Sequence, residues 1–135
     1  RAEARRVTAW ANSVFFAASV GPLLRERVIK KLRNSGAPDT DRMRAALQAA
    51  GPFYDRLEYI LDRRRWLAGE ELTVADFAVA AQISVLDYTG DVPWEQRPLL
   101  RDWYALMKSR PAFRGPLHDR VKGMPPALHY VDLDF

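Results

Sequence analysis

The chain has 135 residues, 48% of them apolar and 28% charged, enough for one real hydrophobic core and not for two. It contains no cysteine, which excludes a disulfide frame, a thiolate zinc site and a cysteine nucleophile. Its formal net charge of +4 would suit nucleic acid, but the cations are interleaved with acids, as in RERVIKKLR and DRLEYILDRRR, which is the pattern of solvated helical faces.

Apolar residues recur at helical spacing nearly everywhere, and no stretch alternates as a strand would. A first helix is expected over residues 2–19, with Val7, Trp10, Ala11, Val14 and Ala18 as its core stripe. Gly21-Pro22 should interrupt it, and a second stretch over 23–33 places Leu24, Val28 and Leu32 on one face. NSGAPD (34–39) is a turn. A third helix begins near Asp39 or Thr40 and shows Met43, Leu47, Ala50, Tyr54, Leu57 and Leu61, with a kink or break expected at Gly51-Pro52.

The stretch LAGEELTVADFAVAAQ (67–82) is apolar almost throughout yet keeps Thr73 and Asp76. Thr73 is placed as an N-cap, and Asp76 at the third helical position can reach back to the Thr73 N–H. Leu72 and Phe77 are spaced for a hydrophobic staple across the same cap. The helix that follows is apolar on nearly every side, so it should be buried centrally, where its free N–H groups have no water to bond. The pair is therefore read as structural. After Thr89-Gly90, PLLRDWYALMKSR should place Leu99 or Leu100, Trp103, Leu106 and Met107 inward, and Pro111 should stop it. The body is one all-α domain of about five to seven helices over residues 1–120, followed by a Pro-rich tail over 121–135.

No apolar run approaches the roughly 20 residues of a membrane span, and no basic-then-apolar leader opens the chain. The cytoplasm is the expected setting, with neither membrane nor nucleic acid as partner. The chain opens on Arg1 inside a helical pattern, as a piece of a longer protein would.

WLAGEELTVADF (66–77) resembles the turn and capped central helix of glutathione S-transferase C-terminal domains, through Leu67, Gly69, Leu72, Thr73 and Asp76. WYALMKSRPAFR (103–114) is similar to that family's penultimate helix and its Arg-Pro-x-Phe stop. The resemblance implies a helical bundle that forms the wall of a hydrophobic second-substrate site and part of a homodimer interface. It also implies that a thioredoxin-like domain, with the glutathione contacts and the thiol-stabilising residue, lies upstream of Arg1. No catalytic residue is then expected in this chain, and glutathione and a hydrophobic electrophile would be ligands of the longer protein. LDYTGDVPWEQ and HYVDLDF resemble an alphaproteobacterial branch of the superfamily with FzlA-type members. That branch implies a different role, non-catalytic binding of the division protein FtsZ.

Two surfaces stand out as candidate sites. On the first helix, Ala9, Trp10, Asn12, Ser13 and Phe16 lie away from the core stripe, with Trp10 at its edge. They would line a pocket, face a partner or pack on the absent domain. In the tail, Tyr130, Leu133 and Phe135 are expected to fill a groove along the domain, because so many apolar side chains in a free end would be poorly solvated. His118 and His129 match no metal-ligand spacing, and no metal site is expected.

Overall fold

The computed structural model describes residues 1–133. Five helices, α1 (Ala2–Arg33), α2 (Thr40–Arg63), α3 (Val74–Tyr88), α4 (Pro98–Lys108) and α5 (Arg114–His118), are joined by short turns, with no β-sheet among the described residues. The α3 helix is the centre: it packs on α1 along one flank and on α4 along the other, while α2 touches α1 and α4. Its first residues explain why that is tolerable. Thr73 Oγ1 accepts from the Ala75 N–H at 3.2 Å, and Asp76 Oδ2 accepts from the Thr73 N–H at 3.0 Å. Leu72 and Phe77 are half-buried against the core on either side of this cap.

Asp76 does more than close the cap. Its Oδ1 accepts from the Leu67 N–H and from the Trp103 indole N–H, both at 3.0 Å. One fully buried carboxylate thus joins the 67–72 turn, the start of α3 and the middle of α4. Burying a charge this way is costly unless it is hydrogen-bonded, and three N–H donors meet it here.

The first helix departs from the sequence expectation. It runs unbroken through Gly21-Pro22, because Trp10–Val20 and Arg25–Ile29 are wound as π-helix. The Gly21 N–H bonds the Phe16 carbonyl five residues back, and this wider turn admits the ring and missing donor of Pro22. The winding also resets which residues face inward. A π-turn advances the buried stripe by more than 3.6 residues, so Val7 and Ala11 are followed by Phe15 and Ser19. Val14 and Leu32, expected inside, are 53% and 57% exposed. The unbroken α1 is long and apolar enough, by length and composition, to cross a membrane, contrary to the expectation from the interrupted pattern. In the fold its Ala4, Val7, Ala11 and Phe15 are spent on the core.

The α2 helix also continues through its proline. Pro52 and Gln48, whose carbonyl loses its partner, are both exposed, so water can satisfy what the ring removes. Ala46, Ala50, Tyr54, Leu57 and Ile60 are its buried face, and Leu47 turns outward. On α4 the stripe is Leu100, Trp103, Tyr104 and Met107, a three–four alternation that leaves Leu106 exposed instead of inward. Glu58 of α2 accepts from the Leu100 N–H and so caps α4 from a neighbouring helix. Glu26 of α1 does the same for the next connection, accepting from the Asp39 N–H at 2.8 Å and from Lys30 Nζ at 2.6 Å. Those bonds, Lys30 first, hold its carboxyl below the ordinary range.

Thr73→Ala should cost about 0.5–2 kcal/mol of stability, the usual range for a lost N-cap. Asp76→Ala should cost more, at least about 3 kcal/mol, because three buried donors lose their acceptor together. Urea denaturation of the two variants measures both, and equal midpoints would show that the three-way bridge contributes nothing beyond the cap.

Candidate functional site

The residues expected on the outer face of α1 do not converge on one pocket. Trp10 turns into an aromatic cluster between α1 and α2, with ring centroids 5.3 Å from Phe53 and 6.3 Å from Phe15. Asn12 leans toward α3, where its Oδ1 accepts from Gln82 Nε2 at 3.4 Å. Ser13 spends its hydroxyl on the Ala9 carbonyl one turn back, and Ala9 is exposed. Phe16 is 40% exposed and is the one large apolar ring of the set that faces water.

Its position has a backbone cause. A methyl group on Gly21 would lie 3.0 Å from the Phe16 carbonyl oxygen and 3.1 and 3.3 Å from two ring carbons. The glycine therefore lets the Phe16 ring lie directly on the π-wound backbone. Gly21-Pro22 is thus not a break but the seat of an exposed aromatic, a role that its composition alone does not announce. Asn12, Ser13 and Phe16 form an open helical surface of small polar groups around one ring, and such a surface excludes no water by itself.

The tail is the second candidate, and besides the expected Tyr130 it is anchored by residues outside the expected set. Tyr88 at the end of α3 is the post. Its hydroxyl donates to the Met124 carbonyl at 2.6 Å and accepts from the Val121 N–H at 2.9 Å. Its own carbonyl accepts from the Ala127 N–H at 2.9 Å. Tyr130 lies edge-on to the Tyr88 ring, 5.0 Å between centroids, and is 5% exposed. Leu133, expected in a groove, is 48% exposed: it lies beyond the last turn that Tyr130 ties down. Phe135 lies outside the described residues.

Beneath the tail is a buried polar group of unusual density. Asp87 and Lys108 are fully buried. Asp87 Oδ1 accepts from Trp94 Nε1 at 2.9 Å and pairs with His129 Nε2 at 2.8 Å, while Lys108 Nζ donates to the His129 carbonyl at 3.2 Å. Burial pushes the Lys108 ammonium down from the ordinary lysine value, and the charge of Asp87 pulls it back. Nothing here resembles a nucleophile with its base. These groups hold the tail against α3 and α4. The signal in the sequence was Asp87 itself, one of two carboxylates in a mostly apolar helix.

The sequence profile of the glutathione S-transferase C-terminal domain matches residues 24–106. The chain belongs to that family. Relatives of this glutathione S-transferase-like domain include FtsZ-localized protein A of Caulobacter vibrioides, 46% identical over all 135 residues, which make up 59% of that protein. Glutathione S-transferase GstB of Escherichia coli is 33% identical over 118 residues, covering 84% of this chain and 52% of GstB. The crystal structure of a glutathione S-transferase from Rhodospirillum rubrum superposes on the whole chain with a TM-score of 0.97 at 44% identity, using 61% of its own length. The chain thus spans between half and two thirds of the length of these three relatives.

Two variants test these surfaces. Alanine normally improves on glycine in a helix by about 0.5–1 kcal/mol. Gly21→Ala should reverse that sign and lower the thermal midpoint, since the added methyl meets a backbone carbonyl. Tyr88→Phe should expose the tail: limited proteolysis should cleave beyond His118 faster than in the parent, at a stability cost of about 1–2 kcal/mol for two hydrogen bonds.

Proposed function

We propose that this chain is the helical half of a two-domain glutathione S-transferase-like protein, and that the outer face of α1 is turned toward a thioredoxin-like half. The observation that carries this reading is Phe16. An aromatic ring seated on glycine, exposed among Ala9, Asn12 and Ser13, is apolar surface awaiting cover on a helix whose other side is already core. In that arrangement a hydrophobic electrophile lies against Phe16, while glutathione and the residue that stabilises its thiolate belong to the other half. Leu47 and Tyr59, exposed on α2, supply part of a homodimer interface. The setting is the cytoplasm.

A second reading has its own support. The alignment with FtsZ-localized protein A, 46% identical overall, takes in the tail as well as the helices. In that reading the longer protein is a non-catalytic binder with FtsZ as partner, and the α1 face and tail are contact surfaces.

Calorimetric titration of glutathione into the full-length protein separates the two. Saturable binding in the micromolar to low-millimolar range, weakened for hydrophobic glutathione conjugates by Phe16→Ser, is the expected result for a transferase. A folded protein that takes no glutathione yet co-sediments with FtsZ filaments would support the second reading and contradict the first.

A further inference from the structure

A large groove lies at the C-terminal end of α1, beyond the Phe16 face. It has a volume of about 630 Å³, and the last turns of α1, the 34–39 turn, the end of α3 and residues 124–127 of the tail enclose it. Its apolar lining comes from Met43, Met124 and the prolines 38, 125 and 126, and no acidic residue lines it. Three cations do: Arg27, Lys30 and Lys31.

Those cations are not equivalent. Arg27 is held by Asp91 through two bonds of 2.7 and 2.6 Å, and Lys30 is held by the buried Glu26 at 2.6 Å. Both charges are compensated within the fold. Lys31 reaches only a neutral group, the Gly123 carbonyl at 2.9 Å. Lys122, beside Gly123, is exposed, and no ion pair among the described residues engages it or Lys31. The groove therefore carries fixed, neutralised charges within and uncompensated positive charge at its edge.

We infer that this groove binds an extended acidic segment of a partner protein, with carboxylates at Lys31 and Lys122 and apolar side chains against the methionines and prolines. Charge complementarity at such a rim steers encounter and fixes register, while methionine adapts to irregular apolar side chains. The prolines 125 and 126 have no N–H, so that wall offers the incoming backbone only acceptors. Nucleic acid fits less well. A single strand stacks its bases on aromatic platforms beside the cations, and the one aromatic lining the groove, Tyr88, is buried under the tail it anchors. The inference goes beyond the reading of the α1 face and does not depend on it.

The test is fluorescence anisotropy on the full-length protein with three labelled probes: a short peptide alternating Asp and Leu, its Lys–Leu counterpart, and a single-stranded oligonucleotide. The Asp–Leu peptide should bind saturably, weaken as salt rises, and lose roughly tenfold or more in affinity in the variant K31E/K122E. Both positions are exposed, and an unchanged circular dichroism spectrum establishes that the variant is folded. Absent binding, equal binding of the Lys–Leu peptide, salt-independent binding, or preference for the oligonucleotide would each overturn the inference. The salt series on the unaltered protein decides the matter even if the variant does not fold.

Discussion

The fold hangs on one carboxylate. Asp76 is fully buried and accepts from Leu67, Thr73 and Trp103, so it fixes a turn, a helix start and a neighbouring helix at once. A central helix apolar on every side would otherwise bury free N–H groups at its first turn, at about 1–3 kcal/mol each. Solving that problem with a residue that also reaches Trp103 makes the α3–α4 angle part of the same solution. The positions of α1 and the tail follow, because both lie against α3.

The part of this architecture legible in the sequence was the part governed by local chemistry. The spacing of Thr73, Asp76, Leu72 and Phe77 specifies a cap whatever surrounds it, and the observed bonds of Thr73 and Asp76 are those of a reciprocal cap. The third bond of Asp76, to Trp103, was not legible, since it joins residues 27 positions apart. Helix content and order were legible too. The failures on α1 share a cause: they assumed a 3.6-residue winding and an interruption at Gly21-Pro22. In α1 a π-wound stretch carries Phe15 and Ser19 inward in place of Val14 and Ala18, and the Ser19 hydroxyl is satisfied by the Ala46 carbonyl of α2 at 2.9 Å. Winding of this kind depends on what packs around a helix, and no window of α1 alone reports it.

The candidate surfaces divide in the same way. Phe16 was picked out by its place opposite the core stripe, and it is exposed; Trp10 and Asn12 were picked out with it and belong to contacts with α2 and α3. For the tail, apolar composition pointed to Tyr130, which is buried, and equally to Leu133, which is not. What secures the segment is polar. The Tyr88 hydroxyl, Asp87, Lys108 and His129 form a network whose members lie on α3, α4 and the tail, with up to 42 positions between partners. The logic of such a network appears only once the helices are in place. The result is a helical domain of the glutathione S-transferase family with its inner side rigidly specified. Two of its outer features, the Phe16 face and the basic groove, are left open to other molecules.

The claim on which the rest stands is that Asp76 ties turn, cap and α4 into one cooperative unit. Native-state hydrogen exchange on the full-length protein addresses it directly, through the Trp103 indole N–H and the Leu67 and Thr73 amides. If the unit is cooperative, all three exchange only through global unfolding, with the same dependence on denaturant as the slowest core amides of α3. Exchange of any of the three by local fluctuation, independent of denaturant and orders of magnitude faster than that core, would mean that the carboxylate merely decorates a fold held together elsewhere.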